Sequence, residues 1–120
     1  MTAADAEQLA WQIQAARVLG HLLGRAHREG LPVLGWSVST AGVSLQGHSY
    51  ATPHSSRRSA VTAWGQALGI PLHERPRGDG AIVIWGTVEH LDTPRGWCTV
   101  TLSADIYDET GEDGDHGQQP

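Results

Sequence analysis

Four arginines in two short segments are the residues of this chain best suited to bind an anion. Arg57 and Arg58 fall in the first turns of a predicted helix, where unpaired backbone N–H groups and the helix dipole already favour negative charge. Arg75 and Arg77 belong to a loop that also contains Pro and Gly. Because guanidinium groups bind phosphate and carboxylate, we predict an anion-binding site formed by these four side chains. The alternative is that they lie on solvated faces and form surface ion pairs.

Residues that perform catalysis or hold metals show no recognisable pattern. The seven histidines form no HxH, HxxxH or HExxH motif, and no GxSxG, Walker or dinucleotide-binding motif is present. The single cysteine, Cys98, lies on the apolar side of a predicted strand, where a thiol is usually buried and inert. We therefore expect no catalytic residue, no metal site, no cofactor and no enzymatic activity.

Capping signals predict two helices that would position these residues. The first covers residues 2–29 and opens with a capping box between Thr2 and Asp5. The second begins with Thr52 as its N-cap and Pro53 at its first helical position. Each is followed by a Gly and a Pro, which are strong stop signals.

Alternating apolar residues predict four or five strands. Residues 33–49 alternate on both sides of a turn and form a β-hairpin, residues 81–91 and 97–106 form a second pair, and residues 72–74 could add a short strand. Short connections favour hairpin pairing. We predict one α+β domain over residues 1–108. It has a mainly antiparallel four- to five-stranded sheet and two helices packed on one face, in the order α-β-β-α-(β)-β-β.

The apolar arc of the first helix is wider than one small sheet can cover. One stripe contains Trp11, Ala15, Val18 and Leu22, and a second contains Leu9, Ile13, Ala16 and Leu23. A surface helix normally has a single apolar stripe of about 100°, so the surplus side should contact another molecule. We predict a homodimer with an interface formed by Trp11, Val18 and Leu22, while the second stripe faces the sheet. The alternative is that the second helix, the tryptophans and the loops cover the remainder within one chain.

Charge is divided unevenly along the chain. Residues 1–104 carry eight Arg and seven acidic residues, whereas residues 105–120 carry six acidic residues and no basic one. Segment 109–120 also lacks apolar side chains, so we predict a disordered acidic tail. No apolar run reaches the length of a membrane span, and the N-terminus lacks the basic region of a secretion signal. These features predict a cytoplasmic protein with no membrane partner.

Four short segments resemble a group of small proteins from GC-rich actinobacteria. The segments are Gly30–Trp36, Gly42–His48, Arg57–Trp64 and Ala67–Gly69, and the resemblance covers about residues 5–105. Proteins of this group are often encoded among phage-derived or conjugative-element genes and have no assigned activity. The resemblance therefore implies a compact accessory protein in a bacterial cytoplasm and supplies no catalytic residue.

Together these features favour a non-enzymatic accessory or adaptor protein that acts through protein–protein contacts as a homodimer. Its partner would be another protein, contacted through the hairpin 33–49 and the surplus side of the first helix. Two alternatives stay open: a nucleic-acid-binding regulator of a mobile element that uses the arginines, and a small enzyme or ligand-binding domain. The net charge of −5 weighs against the first alternative, because nucleic-acid-binding domains usually carry a basic excess.

Overall fold

A computed structural model describes residues 1–107, which form two helices and a five-stranded sheet. In chain order the elements are α1 (Ala3–Glu29), β1 (Gly35–Val38), β2 (Ser44–His48), α2 (Ser55–Leu68), β3 (His73–Pro76), β4 (Ala81–Thr93) and β5 (Gly96–Tyr107). The predicted α+β class is confirmed. The acidic segment 109–120, with its predicted disorder, lies outside the described residues.

The five strands form one mixed sheet in the order β1-β2-β5-β4-β3. The β1–β2, β3–β4 and β4–β5 pairs are antiparallel, whereas β2 and β5 run parallel, with Leu45 opposite Val100 and Gly47 opposite Leu102. The prediction of a mainly antiparallel sheet is therefore corrected to a mixed one. Hairpin signals specify only strands that follow each other in sequence. The β2–β5 pair instead closes a long crossover that contains α2, β3 and β4.

Helix α1 has 27 residues and is about 40 Å long at 1.5 Å per residue. The predicted capping box is present: the Thr2 hydroxyl accepts from the Asp5 backbone N–H at 3.0 Å, and the Asp5 carboxylate accepts from the Thr2 N–H at 3.2 Å. The helix ends at Glu29 and is capped by Gly30, whose φ of 69° is in the left-handed region that favours glycine. Within residues 1–107, neither helix combines the length and hydrophobicity that a transmembrane span requires.

Helix α2 begins later than its capping signals predict. Its first residue is Ser55 and its N-cap residue is His54, so the predicted start at Thr52 and Pro53 is wrong. The Pro53 carbonyl accepts hydrogen bonds from both the backbone N–H and the hydroxyl of Ser56. Pro53 therefore belongs to a turn that leads into the helix rather than to its first helical position.

The core lies between the two helices and one face of the sheet. Its buried members include Ala15, Val18 and Leu22 from α1, Ala60, Val61, Trp64 and Leu68 from α2, and Leu45, Ile84, Cys98, Val100 and Leu102 from the strands. Trp64 is buried. Its indole N–H donates to the Pro32 carbonyl at 2.7 Å, and its ring packs edge-to-face with that of Trp36, with the ring centroids 5.2 Å apart. The opposite face of the sheet, which carries Thr87 and Thr101, has no helix over it among residues 1–107.

Candidate interaction surfaces

The two apolar stripes of α1 lie in opposite surroundings. Val18 and Leu22 are 0% and 1% exposed, and Trp11 is partly buried against the same core. The large residues of the other stripe are about half exposed: Leu9 (46%), Ile13 (52%) and Leu23 (49%). The predicted interface of Trp11, Val18 and Leu22 is therefore wrong in its choice of stripe. On this side of α1 the Gln14 amide donates to the Trp97 carbonyl at 2.8 Å and joins the helix to β5.

The exposed stripe belongs to a longer apolar seam along α1. Its members, all exposed, are Ala6, Leu9, Ile13, Ala16, Gly20 and Leu23. Their spacing alternates between three and four residues, which is the repeat by which helices pair in coiled coils. At about 100° per residue the seam lies about 150° around the helix from Ala15, Val18 and Leu22, so it faces away from the sheet. We call these six residues the α1 seam.

Arg57 and Arg58 are already bonded within the chain. The Arg57 guanidinium donates to the backbone carbonyl of Ala51 at 2.8 Å and to that of Asp105 at 2.9 Å, so it ties the start of α2 to β5. Arg58 forms an ion pair with Glu74 of β3. These contacts give both predicted anion-binding residues structural partners.

The other two predicted arginines lie along β3 and the loop that follows it. Arg77 pairs with the carboxylates of Asp79 at 2.8 Å and Asp105 at 3.1 Å. Its hydrogen bond holds the pKa of Asp79 well below its usual range. Arg75 lies over the Trp85 ring, with its guanidinium carbon 5.3 Å from the ring centre. Because Arg75 and its neighbour Glu74 point to opposite faces of the strand, the structure divides the four arginines between two faces. This division adds no support for nucleic-acid binding.

The open face of the sheet carries a hydroxyl–imidazole pair. His48 and Ser103 face each other on β2 and β5, with Nδ1 and Oγ 2.7 Å apart, which is the contact that a serine nucleophile makes with its base. Acyl transfer also needs backbone N–H groups that point at the developing oxyanion. Ser103 lies within a strand that is paired on both sides, where backbone N–H groups bond to neighbouring strands. We assign this pair a structural role, as a side-chain hydrogen bond that joins β2 to β5.

Two further sequence predictions concern metal and thiol chemistry. Cys98 is fully buried, as predicted, and burial raises the pKa of its thiol to about 11. Among residues 1–107, no three His, Cys, Asp or Glu side chains are placed to share a metal ion.

The outer edge of β1 is the second exposed surface. Within residues 1–107, β1 pairs with β2 on one side and with no strand on the other. Beside it, Val33 is 91% exposed and Tyr50 is 69% exposed. A groove of about 800 Å³ lies between α2 and the segment that leads into β1. Its apolar lining includes Pro32, Val33, Leu34, Ala60 and Ala63. We call this surface the β1 edge groove.

Comparisons with protein-family models, curated proteins and solved structures give no match for this chain. The function therefore has to be argued from the two surfaces themselves. Sequence alone identifies the residues of the exposed α1 stripe as apolar but predicts that they face the sheet. The three-and-four spacing that runs from Ala6 to Leu23 is the signal that could have identified the α1 seam.

Proposed function

We propose that this protein is a non-enzymatic adaptor that works as a homodimer through protein–protein contacts. The α1 seam carries the proposal, because its three large side chains are each about half exposed on a helix whose other side already packs on the sheet. Burial of such surface stabilises an association by about 25 cal/mol per Å². A second copy supplies the same seam, and a two-fold axis lets one surface serve both protomers.

This pairing explains how the dimer would act as an adaptor. The core side of α1 and the α1 seam lie on nearly opposite sides of the helix, so the two sheets would lie on opposite sides of the helix pair. The open face of each sheet would then point away from the dimer. A two-fold dimer also carries two copies of every other exposed surface, one on each protomer, which suits a protein that bridges two partner molecules.

The β1 edge groove supports the choice of a protein as the partner. An edge strand has unpaired backbone N–H and C=O groups, and an extended peptide can bond to them as an added strand. The apolar lining beside the edge could receive a side chain of that peptide, and Val33 and Tyr50 are exposed at its rim. We therefore propose an extended, apolar segment of another protein as the ligand of this edge.

Sedimentation of a seam variant tests the dimer. We expect the wild-type chain to sediment as a dimer at tens of micromolar, and the variant Leu9→Glu with Ile13→Glu to sediment as a folded monomer. The control, Gln8→Glu with Gln66→Glu, adds the same charge at two exposed positions outside the α1 seam and should stay dimeric. Circular dichroism checks that each variant is folded. A monomeric wild type, or a seam variant that stays dimeric, would overturn the proposal.

A further inference from the structure

We infer that the two copies pair with their α1 seams antiparallel, in the register where contacting residue numbers sum to 29. In this register Leu9 lies against Gly20, Ile13 against Ala16 and Leu23 against Ala6 of the second copy. The inference rests on the proposed homodimer and specifies the partner as a second, reversed α1. It also fixes the direction in which one protomer is turned relative to the other.

The sizes of the seam residues support this register. From Ala6 to Leu23 the six side chains read small, large, large, small, small, large. Read in reverse, each small position meets a large one and each large position meets a small one, so the seam complements its own reversed copy. Paired helices keep an axis separation of 8–10 Å, set by the side chains at the contact. One large and one small residue at every level keep that separation even along the pair.

A parallel pair lacks this match. It would set Leu9 against Leu9 and Ile13 against Ile13, but Ala16 against Ala16 and Gly20 against Gly20. The helices would be held apart at one end and leave voids further along, and voids forfeit packing contacts. At Gly20 the site of a Cβ atom has no neighbouring atom within 4 Å, so the space that a Leu9 side chain of the second copy would need is open.

The charges of α1 favour the same direction. Side chains of residues 1–14 include Asp5 and Glu7 and no Arg, a charge of −2, whereas residues 15–29 include three Arg and one Glu, a charge of +2. Of these charged residues, Asp5, Arg17 and Arg28 lie within about 90° of the α1 seam. An antiparallel pair places Asp5 of each copy beside the basic half of the other, and it sets the positive end of each helix dipole beside the negative end of the other. A parallel pair places each half beside its own copy, where like charges repel.

Disulfide formation between single-cysteine variants distinguishes the two directions. We would mix Leu9→Cys and Gly20→Cys chains under mild oxidation and compare the product with that of each variant alone. In the antiparallel register positions 9 and 20 are adjacent, while the two copies of position 9 are about 16 Å apart along the axis. We expect about tenfold more linked dimer from the mixture than from either variant alone, because a disulfide needs Cα atoms within about 7 Å.

The outcomes separate this inference from the proposed function. The wild-type chain, whose single cysteine is buried, serves as the blank. Efficient linkage of Leu9→Cys chains to each other overturns the antiparallel direction, as does the absence of linkage in a mixture that sediments as a dimer. A mixture that sediments as a monomer overturns the homodimer itself.

Discussion

The side of α1 that carries Val18 and Leu22 is closed by the sheet, whereas the side that carries Leu9 and Ile13 lies in solvent. Both sides contain large aliphatic residues, so hydrophobicity alone does not determine which of them becomes core. The difference comes from what each side meets: a sheet of Leu45, Val100 and Leu102 on one side, and solvent around Leu9 and Ile13 on the other. An apolar stripe is therefore a core stripe only when the rest of the fold supplies its counterpart.

Two adjacent leucines give the largest expected difference between these sides. Leu22→Ala should lower the free energy of unfolding by about 2–5 kcal/mol, because it opens a cavity in a packed core. Leu23→Ala removes a half-exposed side chain and should cost less than about 1 kcal/mol in the monomer. Urea unfolding at about 1 µM chain, where association is weakest, measures both.

A second concentration completes that test. At about 100 µM the Leu23→Ala chain should lose part of the extra stability that dimer formation gives the wild type, since association stabilises by mass action. If Leu22→Ala and Leu23→Ala lower the free energy of unfolding equally at the low concentration, both sides of α1 belong to the core. That result would contradict the difference between the two sides.

Local sequence signals predict much of this fold. The Thr2–Asp5 capping box, the β1–β2 hairpin and the long β4–β5 pair each depend on residues close in sequence, and all three are present. The parallel β2–β5 pair joins residues that are more than 50 positions apart, and no turn signal specifies it. The wheel of α1 gives two comparable stripes, so only the position of the sheet decides between them.

The sequence predicts less of the candidate site than of the fold. Arg57 and Arg58 do lie at the start of a helix, but the groups that occupy them come from distant segments: the Asp105 carbonyl on β5 and the Glu74 carboxylate on β3. A helix start predicts attraction for an anion. It does not reveal which of the protein's own oxygen atoms will meet the guanidinium groups.

Alanine substitutions at two glycines, one in the core and one on the α1 seam, should change stability in opposite directions. A Cβ atom at Gly86 would lie 2.3 Å from the Pro71 backbone carbonyl oxygen, so Gly86→Ala should destabilise the fold by about 1–3 kcal/mol as the backbone shifts. At Gly20 a Cβ atom meets nothing within 4 Å, and Gly20→Ala should stabilise the monomer by about 0.5–1 kcal/mol through helix propensity. Thermal unfolding of dilute samples compares the two.

A larger residue at Gly20 extends this prediction to the dimer. Gly20→Leu fills the space assigned to Leu9 of the second copy, so it should weaken association while leaving the dilute monomer folded. Gln66→Leu is a suitable control, because it adds the same side chain at an exposed position of α2 outside the α1 seam. If Gly20→Leu strengthens the dimer instead, the large-against-small register is wrong.

The pH dependence of stability tests whether the Cys98 thiol is buried on the core side of the sheet. Its pKa in the folded chain is about 11 against an ordinary value of 9.0 because burial disfavours the thiolate. Above pH 9 the unfolded chain releases this proton first, so stability should be unaffected below pH 9 and decline as the pH rises towards 11. The Cys98→Ala chain should lack this part of the decline. Melting temperatures from pH 8 to pH 11 measure the difference, and identical pH profiles would contradict the buried assignment.

Salt gives the smallest expected effect, and its sign distinguishes the two directions of α1 pairing. In the antiparallel dimer the −2 and +2 halves attract, so raising NaCl from about 50 to about 500 mM should raise the dissociation constant about threefold as the Debye length shortens. In a parallel dimer the same change would screen repulsion and lower the dissociation constant. The variant Arg17→Gln with Arg28→Gln removes two positive charges from the basic half at exposed positions, both within about 90° of the α1 seam. It leaves the capping box and the Arg25–Glu29 pair in place. Its dissociation constant should therefore change less with salt than that of the wild type, and an unchanged slope would show that these charges do not lie across the interface. Sedimentation equilibrium of both chains at each salt concentration gives the two slopes.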